Sequence, residues 1–428
     1  MRKIFKTLII CVGVFALTGC AKTDDLPDSY TESMDYQYMY NNDSFFFPQQ
    51  AKGEKGYYLL EGHYIYYMDK DNQTVVPLCN KPECLHEKET DKEKYKLCNA
   101  YVENDGKVGI AYCDGYLYYI CDSEPEIAMD RYALYRIKED GSEKELLKQW
   151  KSEIIGQWCV HRNTLYYIET SYKTEENGKI EQKYQLKSLE LKDSLKKKER
   201  VVYEPQEGLY NVEIAWPQAY GNYVYFQVLG NTETNDIVND DNYADYLYMK
   251  TLGYNIKDGT LYDISVQKEN EYVQGVGFWK DKLLIVPWSP EKEDGEQIGS
   301  YIAELDGSNM QPFMDNVRQG ERFYSDGKYL YQSNALLVDF GVDNENVYQV
   351  YNEENILTDT INLPLAGDGV PPVGDETRML VPVIDKNDNS IWTLKFMDKE
   401  TIGAYQGESF RMQDIAQMEF SIWDINEE

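Results

Sequence analysis

Asp114-Gly115-Tyr116-Leu117-Tyr118-Tyr119 is the stretch on which the fold turns. A turn-forming pair is followed by one variable residue and then by three apolar or aromatic ones. Asp-Gly accepts the positive φ values of a two-residue hairpin, and the run behind it suits a strand. The element returns as Arg162-Asn163-Thr164-Leu165-Tyr166-Tyr167, Gly221-Asn222-Tyr223-Val224-Tyr225-Phe226, Lys280-Asp281-Lys282-Leu283-Leu284-Ile285 and Asp326-Gly327-Lys328-Tyr329-Leu330-Tyr331. A degenerate copy is Glu376-Thr377-Arg378-Met379-Leu380-Val381. Successive copies lie about 50 residues apart, the length of a propeller blade of four strands.

Between the copies, apolar and polar residues alternate at period two and turn signals recur. This is the pattern of short antiparallel strands. A second hairpin often follows, as in Tyr132–Ile137 before Asp140-Gly141. Long helical periodicity is absent. Leu186–Lys198 is helix-like, but reads equally as a strand and its turn. The expected fold class is therefore all-β, a β-propeller of seven four-stranded blades, with six or eight also compatible. The block at residues 45–100 is out of phase, because Glu61-Gly62-His63-Tyr64-Ile65-Tyr66-Tyr67 fits an inner or an outer hairpin. Closure is expected to draw on residues 404–423, completing a blade begun near the N-terminus.

Composition limits the partners. The chain has 428 residues, 39 of them Tyr and only three His, and a net charge of −32. A hydrophobic share of 42% excludes wholesale disorder. The acidity argues against nucleic acid, which needs clustered Lys and Arg. No apolar run after the first 20 residues approaches the roughly 18 needed to span a bilayer.

The N-terminus reads as a targeting segment. Arg2, Lys3 and Lys6 precede an apolar stretch from Leu8 to Leu17, which ends in Leu17-Thr18-Gly19-Cys20. This arrangement suits a secretory signal, too short for a stable membrane helix. It resembles the lipobox of bacterial lipoproteins, which implies cleavage before Cys20, a diacylglycerol on its thiol and a further acyl group such as palmitate on the new N-terminus. Two or three chains anchor stably where one is marginal. The chain thus divides into a signal peptide at 1–19, a lipidated Cys20 with a flexible tether to 44, and a propeller domain at 45–428 with a Cys-rich insert at 79–98. The expected location is the outer face of the cell membrane.

The insert reads Cys79-Asn80-Lys81-Pro82-Glu83-Cys84-Leu85-His86, then Cys98-Asn99-Ala100. Together with the repeat, this CNKPxCxH…CNA segment resembles a group of lipoproteins from Gram-positive-type anaerobes whose propellers are distantly similar to the YWTD type. The resemblance covers roughly residues 50–400 and implies a fold and a location, but no activity. Three thiols and an imidazole suit a structural zinc ion. The spacings are not those of paired knuckles, and Cys84 and His86 cannot both reach a metal from a regular strand. A disulfide is the competing reading, with Cys84–Cys98 closing a loop of about 15 residues worth roughly 3 kcal/mol. Cys113, Cys121 and Cys159 complete an even number of thiols beyond Cys20.

Catalytic signals are thin. His63 and His161 read as surface or core fillers. No G-x-S-x-G elbow or H-E-x-x-H pair occurs, and Gly407-Glu408-Ser409-Phe410-Arg411 lacks the final Gly. Asp385-Lys386-Asn387-Asp388-Asn389 opens like a calcium loop but lacks its Gly and Glu, so a β-turn is expected. The acidic run from Asp236 to Asp245 reads as a solvated loop. Trp216, Trp279 and Trp288 lie near turn residues and are the candidates for stacking on a ligand. The expected role is that of a monomeric binding or scaffolding module for a protein, peptide or glycan. One alternative is a carbohydrate-active enzyme with a carboxylate pair on the open face. Another is a metal-dependent sensor at Cys79, Cys84, His86 and Cys98.

Overall fold

A computed structural model describes residues 26–35, 50–71, 74–103, 108–122, 132–150, 154–174, 180–191, 199–234, 237–239, 242–362, 373–374, 377–384, 391–403, 413–414 and 420–421. The lipobox with Cys20, the Asp385–Asn389 segment and residues 407–411 lie outside them. No helix among the described residues is long and apolar enough to cross a membrane.

The chain lays down six four-stranded antiparallel sheets in order, at residues 50–77, 110–149, 154–203, 210–264, 277–312 and 322–362. A five-stranded sheet follows at 373–421. Within each sheet the strands lie in chain order, so each returns its chain to the rim before the next begins. The first strand of one sheet contacts the first strand of the next, as Ile154–His161 contacts Tyr210–Tyr220. Val373–Gly374 in turn contacts Gln50–Lys52. The result is a β-propeller, as expected, with six four-stranded sheets among the described residues, where the repeat favoured seven and allowed six. Closure departs from expectation: Gln413–Asp414 and Phe420–Ser421 pair with Ile391–Asp398 inside the C-terminal sheet rather than completing the first.

Six apolar clusters fill the gaps between consecutive sheets. This explains why each second strand is apolar on both faces: Leu117, Tyr118 and Tyr119 are all at most 2% exposed. A strand covered on both sides has no polar alternation to keep. The hairpin turns have the φ values that the turn pairs implied, positive at Asp114 and Gly115, at Arg162 and Asn163, and at Lys280 and Asp281. Leu186 to Glu190 belongs to the strand Ile180–Glu190, not to a helix.

The out-of-phase block resolves into a missed copy. Gly53 N–H donates to Gly56 O (2.8 Å), closing the inner hairpin. The element is therefore Glu54-Lys55-Gly56-Tyr57-Tyr58-Leu59, and Gly62-His63 turns between the second and third strands. Glu54-Lys55 is a weak turn pair, so Gly62-His63 carries the stronger hairpin signal in the sequence.

The register also accounts for the tyrosines. Tyr58 and Tyr225 occupy the same position of the repeat, buried to 1%. Each hydroxyl donates to a backbone carbonyl in a turn of the next sheet, Tyr58 to Glu139 O (3.3 Å) and Tyr225 to Leu305 O (2.7 Å). A phenol fills the gap between sheets and ties its far edge in one side chain. Tyr225→Phe is expected to lower stability by about 1 kcal/mol, read from the urea midpoint, because the Leu305 carbonyl loses its partner.

Residues 26–35 fall in the expected tether, yet they pack on the ring. Tyr30 stacks on Tyr220 with centroids 6.0 Å apart, and Asp35 is 2% exposed.

Candidate metal centre

The Cys-rich insert leaves the first sheet after its short outer strand Val75–Pro77 and returns before Ile110–Cys113. Its ends are pinned to the sheet. Leu78 N–H donates to Ile65 O, Ile65 N–H to Ala100 O, and Val102 N–H to His63 O. The loop between them therefore starts and finishes at one place, on the rim between the first two sheets. Asp140-Gly141 of the second sheet presses against it. A Cβ on Gly141 would lie 2.8 Å from the Cys79 nitrogen, and Asn99 Nδ2 donates to Gly141 O (2.7 Å).

Inside the loop the donors converge. Cys84 N–H reaches back to Lys81 O (3.2 Å) around Pro82, which makes the Lys81–Cys84 turn. His86 then takes φ +54°, unusual for a residue with a Cβ, and opens a single 3-10 turn at His86–Lys88. The short helix Lys92–Tyr95 brings the chain back, and Cys98 N–H caps onto Tyr95 O (2.9 Å). The ligand atoms of Cys79, Cys84, His86 and Cys98 all lie within 4.8 Å of one another. Cys98 Sγ and His86 Nδ1 are 3.5 Å apart. An edge of a tetrahedron with ordinary Zn–S and Zn–N bonds is about that long. The objection from strand geometry does not apply, because Cys84-Leu85-His86 is not a strand.

The electrostatics are those of crowded thiols. Burial pushes the Cys98 thiol up to about 12, with the neighbouring Cys84 and Cys79 adding to the rise. Burial acts to raise Cys79 too, but the N–H groups of Lys81 and Asn99 and the adjoining thiols overcome it and hold Cys79 below its ordinary value. One thiolate is thus favoured at Cys79, while a second and third repel it. A cation at the centre would relieve that repulsion. Lys144 lies close by, donating from Nζ to Tyr101 O (2.5 Å), and its burial brings its pKa down to about 8. None of Cys79, Cys84, Cys98, Cys113, Cys121 and Cys159 is in a disulfide. A Cys84–Cys98 bridge would use only two of four converging donors. This group could hold a metal ion.

The other sequence candidates are dispersed. Trp279 is 1% exposed, with Nε1 donating to Asn355 Oδ1 (2.8 Å). It packs between the fifth and sixth sheets and offers no ring face to a ligand. The sequence does not show this, because a Trp before a turn is buried only when the next sheet covers the turn. Trp216 is half-buried at a bulge of the fourth sheet, where its N–H donates to Gln157 Oε1 (2.7 Å). Trp288 is half-buried against Tyr272, with centroids 6.2 Å apart. His161 is buried, with Nε2 2.7 Å from Gly221 O, and His63 Nδ1 lies 3.1 Å from Val102 O.

Sequence reasoning did not find a polar cavity of ≈ 530 Å³ at the sixth sheet, on the side where the first strands begin. Arg318 lies in its wall between two carboxylates. Nε donates to Glu321 Oε1 (2.8 Å), Nη1 to Asp343 Oδ1 (3.1 Å) and Nη2 to Asp343 Oδ2 (2.6 Å). Hydrogen bonding from Arg318 outweighs burial and holds Asp343 below the usual carboxylate range. Gln332 Nε2 donates to Glu321 Oε2 (2.6 Å), and Asn334 Nδ2 to Asp343 Oδ2 (2.6 Å). Asn344, Glu345 and Gln349 complete the polar lining. Among the described residues, Glu61 is the carboxyl that burial pushes up, to about 7, but it belongs to the first sheet and makes no pair with this cavity.

No known protein family matches the chain, and no curated protein matches it. Solved structures similar to it include the β-propeller domain of the trilobed protease from Pyrococcus furiosus, at 10% identity and a TM-score of 0.45 over 92% of this chain and 99% of that one. An oligogalacturonate lyase in complex with manganese is similar at 12% identity and a TM-score of 0.46, over 83% and 87%. A prolyl endopeptidase structure is similar at 11% identity and a TM-score of 0.48, over 89% of this chain. The chain spans 50% of the length of that endopeptidase. Likeness at this level carries no activity across, and the propeller arrangement rests on the sheets themselves.

Proposed function

We propose that this chain is a lipid-anchored, extracytoplasmic β-propeller that serves as a binding or scaffolding module for a protein, peptide or glycan. The observation that carries the binding role is the Arg318 cavity. Its volume falls in the range of ligand sites. Two of its three carboxylates, Glu321 and Asp343, are engaged by one guanidinium, and Asp343 stays ionised at neutral pH. A glycosidase needs a carboxyl that keeps its proton as general acid, which the arginine-clamped Asp343 does not supply. Amides and carboxylates remain to recognise a polar ligand. The anchor and the location are supported by Leu17-Thr18-Gly19-Cys20.

The test uses the chain without residues 1–20, screened by thermal shift against oligosaccharides and peptides. A ligand at a hundred times its Kd is expected to add about 2.7 kcal/mol, and the gain should vanish in Gln349→Ala. New reducing ends or cut peptides would sink the binding reading in favour of the enzyme.

A second reading is favoured by the convergence of four donors. Cys79, Cys84, His86 and Cys98 would hold a zinc ion that staples the insert to the first two sheets. Three thiolates and an imidazole fill a tetrahedron and leave no open position, so the ion would be structural rather than sensing. Lys144 would offset the single negative charge of that centre.

A further inference from the structure

We infer that the packed N-terminal segment sets which face of the propeller meets the bilayer: the inner hairpin turns of the third, fourth and fifth sheets face the membrane, and the Arg318 cavity faces away from it. The inference rests on the lipid-anchor reading of Cys20.

The segment is held as part of the ring. Arg162 sits in the inner turn of the third sheet, its side chain 3% exposed. Its five guanidinium hydrogens have five acceptors. Nε and Nη2 donate to the two oxygens of Asp35 (2.7 and 3.0 Å), Nη1 to Pro27 O (2.9 Å) and Asn222 Oδ1 (2.6 Å), and Nη2 also to Ser29 O (3.1 Å). The bidentate pair with Asp35 is the strongest form of this contact. It also accounts for φ +46° at Arg162, since the turn presents the fork to the segment. Asn222, in the turn of the fourth sheet, donates from its amide to Asp28 Oδ1 (2.5 Å) and from its backbone to Asp28 O (3.1 Å). Gly221 beside it admits this approach, because a Cβ there would lie 2.2 Å from Asp28 O. Asp281, in the turn of the fifth sheet, accepts from Tyr30 N–H (3.1 Å) and from Tyr220 Oη (2.8 Å). A mere spacer has no reason to bury an arginine–carboxylate fork.

The geometry follows from lengths. Six backbone steps link Cys20 to Leu26, next to Pro27, whose carbonyl Arg162 holds. Fully extended they reach about 20 Å. The strand Ile154–His161, which runs from the cavity side to the turn side, is itself about 23 Å long from end to end. A lipid on Cys20 is therefore leashed too short to pass around the ring. The turns Arg162-Asn163, Gly221-Asn222 and Lys280-Asp281 stay near the headgroups. The cavity lies at the opposite end, where Arg322 opens the first strand of the sixth sheet and Ser325 ends it at the turn.

The test is energy transfer on the full lipidated chain, bound to phosphatidylcholine vesicles with a headgroup acceptor dye. One donor fluorophore is placed genetically at Asp258, exposed in a turn on the membrane side, and in a second protein at Asn344, exposed at the cavity. Transfer is expected to be several-fold stronger from 258 than from 344. The difference should shrink in the Tyr30→Ala, Asp35→Ala double variant, which releases the segment without touching the sheets. Equal transfer from both positions on a chain that floats with the vesicles would overturn the orientation and leave the anchor standing. A chain that does not float, or floats equally well as Cys20→Ser, would overturn the anchor and the orientation together.

Discussion

Lys399→Met is expected to cost about 3–5 kcal/mol of unfolding free energy, the largest single effect of the substitutions considered for the ring. Lys399 and Asp326 are both fully buried, with Nζ 2.5 Å from Asp326 Oδ2. They join the sixth sheet to the C-terminal one. Asp326 is otherwise well supplied: Tyr331 Oη donates to Oδ2 (2.6 Å), and the N–H groups of Lys328 and Tyr329 donate to Oδ1 (2.9 and 2.6 Å). These dipoles cannot replace a full positive charge at a site closed to solvent, where both side chains are 0% exposed. The cost is that of a stranded carboxylate, not the net value of the pair. The double variant Lys399→Met, Asp326→Asn should therefore recover much of the loss. Urea unfolding of the two single variants and the double one gives the coupling directly. Additive losses would show that the two charges do not depend on each other.

The second large effect concerns the thiols. Cys98→Ser is expected to abolish stoichiometric zinc, lowering affinity by at least a hundredfold and the melting temperature with it. A hydroxyl does not ionise at neutral pH and binds zinc poorly, and the remaining three donors leave an open position. Native mass spectrometry of the chain without residues 1–20 should show one zinc mass that disappears on denaturation, with all thiols still bearing hydrogen. The pH dependence has a definite sign. Burial keeps Cys98 protonated in the metal-free protein at neutral pH. Zinc must displace that proton, so affinity rises with pH and the ion is released as pH falls towards 5. A metal-free protein with hydrogens missing from its thiols would sink the zinc reading and restore the disulfide.

Much of this architecture is legible in one dimension because its causes are local. A two-residue turn needs positive φ, so Asp114-Gly115 announces a hairpin wherever it stands. Sheets stacked on both faces need continuous apolar strands, so Leu117-Tyr118-Tyr119 announces burial. The repeat spacing then limits the number of four-stranded sheets, six among the described residues. It falters where local chemistry is weak, as at Glu54-Lys55, whose hairpin forms because neighbouring sheets require it. The donor set at Cys79, Cys84, His86 and Cys98 was also legible, since thiols and imidazole are conspicuous against three histidines in 428 residues. Its geometry was not. It depends on the backbone of His86 entering the left-handed region and on both ends of the insert being pinned to one sheet.

The Arg318 cavity and the packed N-terminal segment had no sequence signal. Asp35 meets Arg162 across 127 residues, and Tyr30 meets Asp281 across 251. A short polar segment rich in Asp and Ser reads as solvated chain, because nothing near it in sequence can satisfy a buried carboxylate. Only the closed ring brings the turns of three sheets to one place and supplies the guanidinium. The sequence by itself thus determined what repeats: turn chemistry, strand pattern and spacing, each set by neighbours a few residues away. The tertiary structure alone decided what converges, because a buried charge or a metal cage is stable only once distant elements have surrounded it.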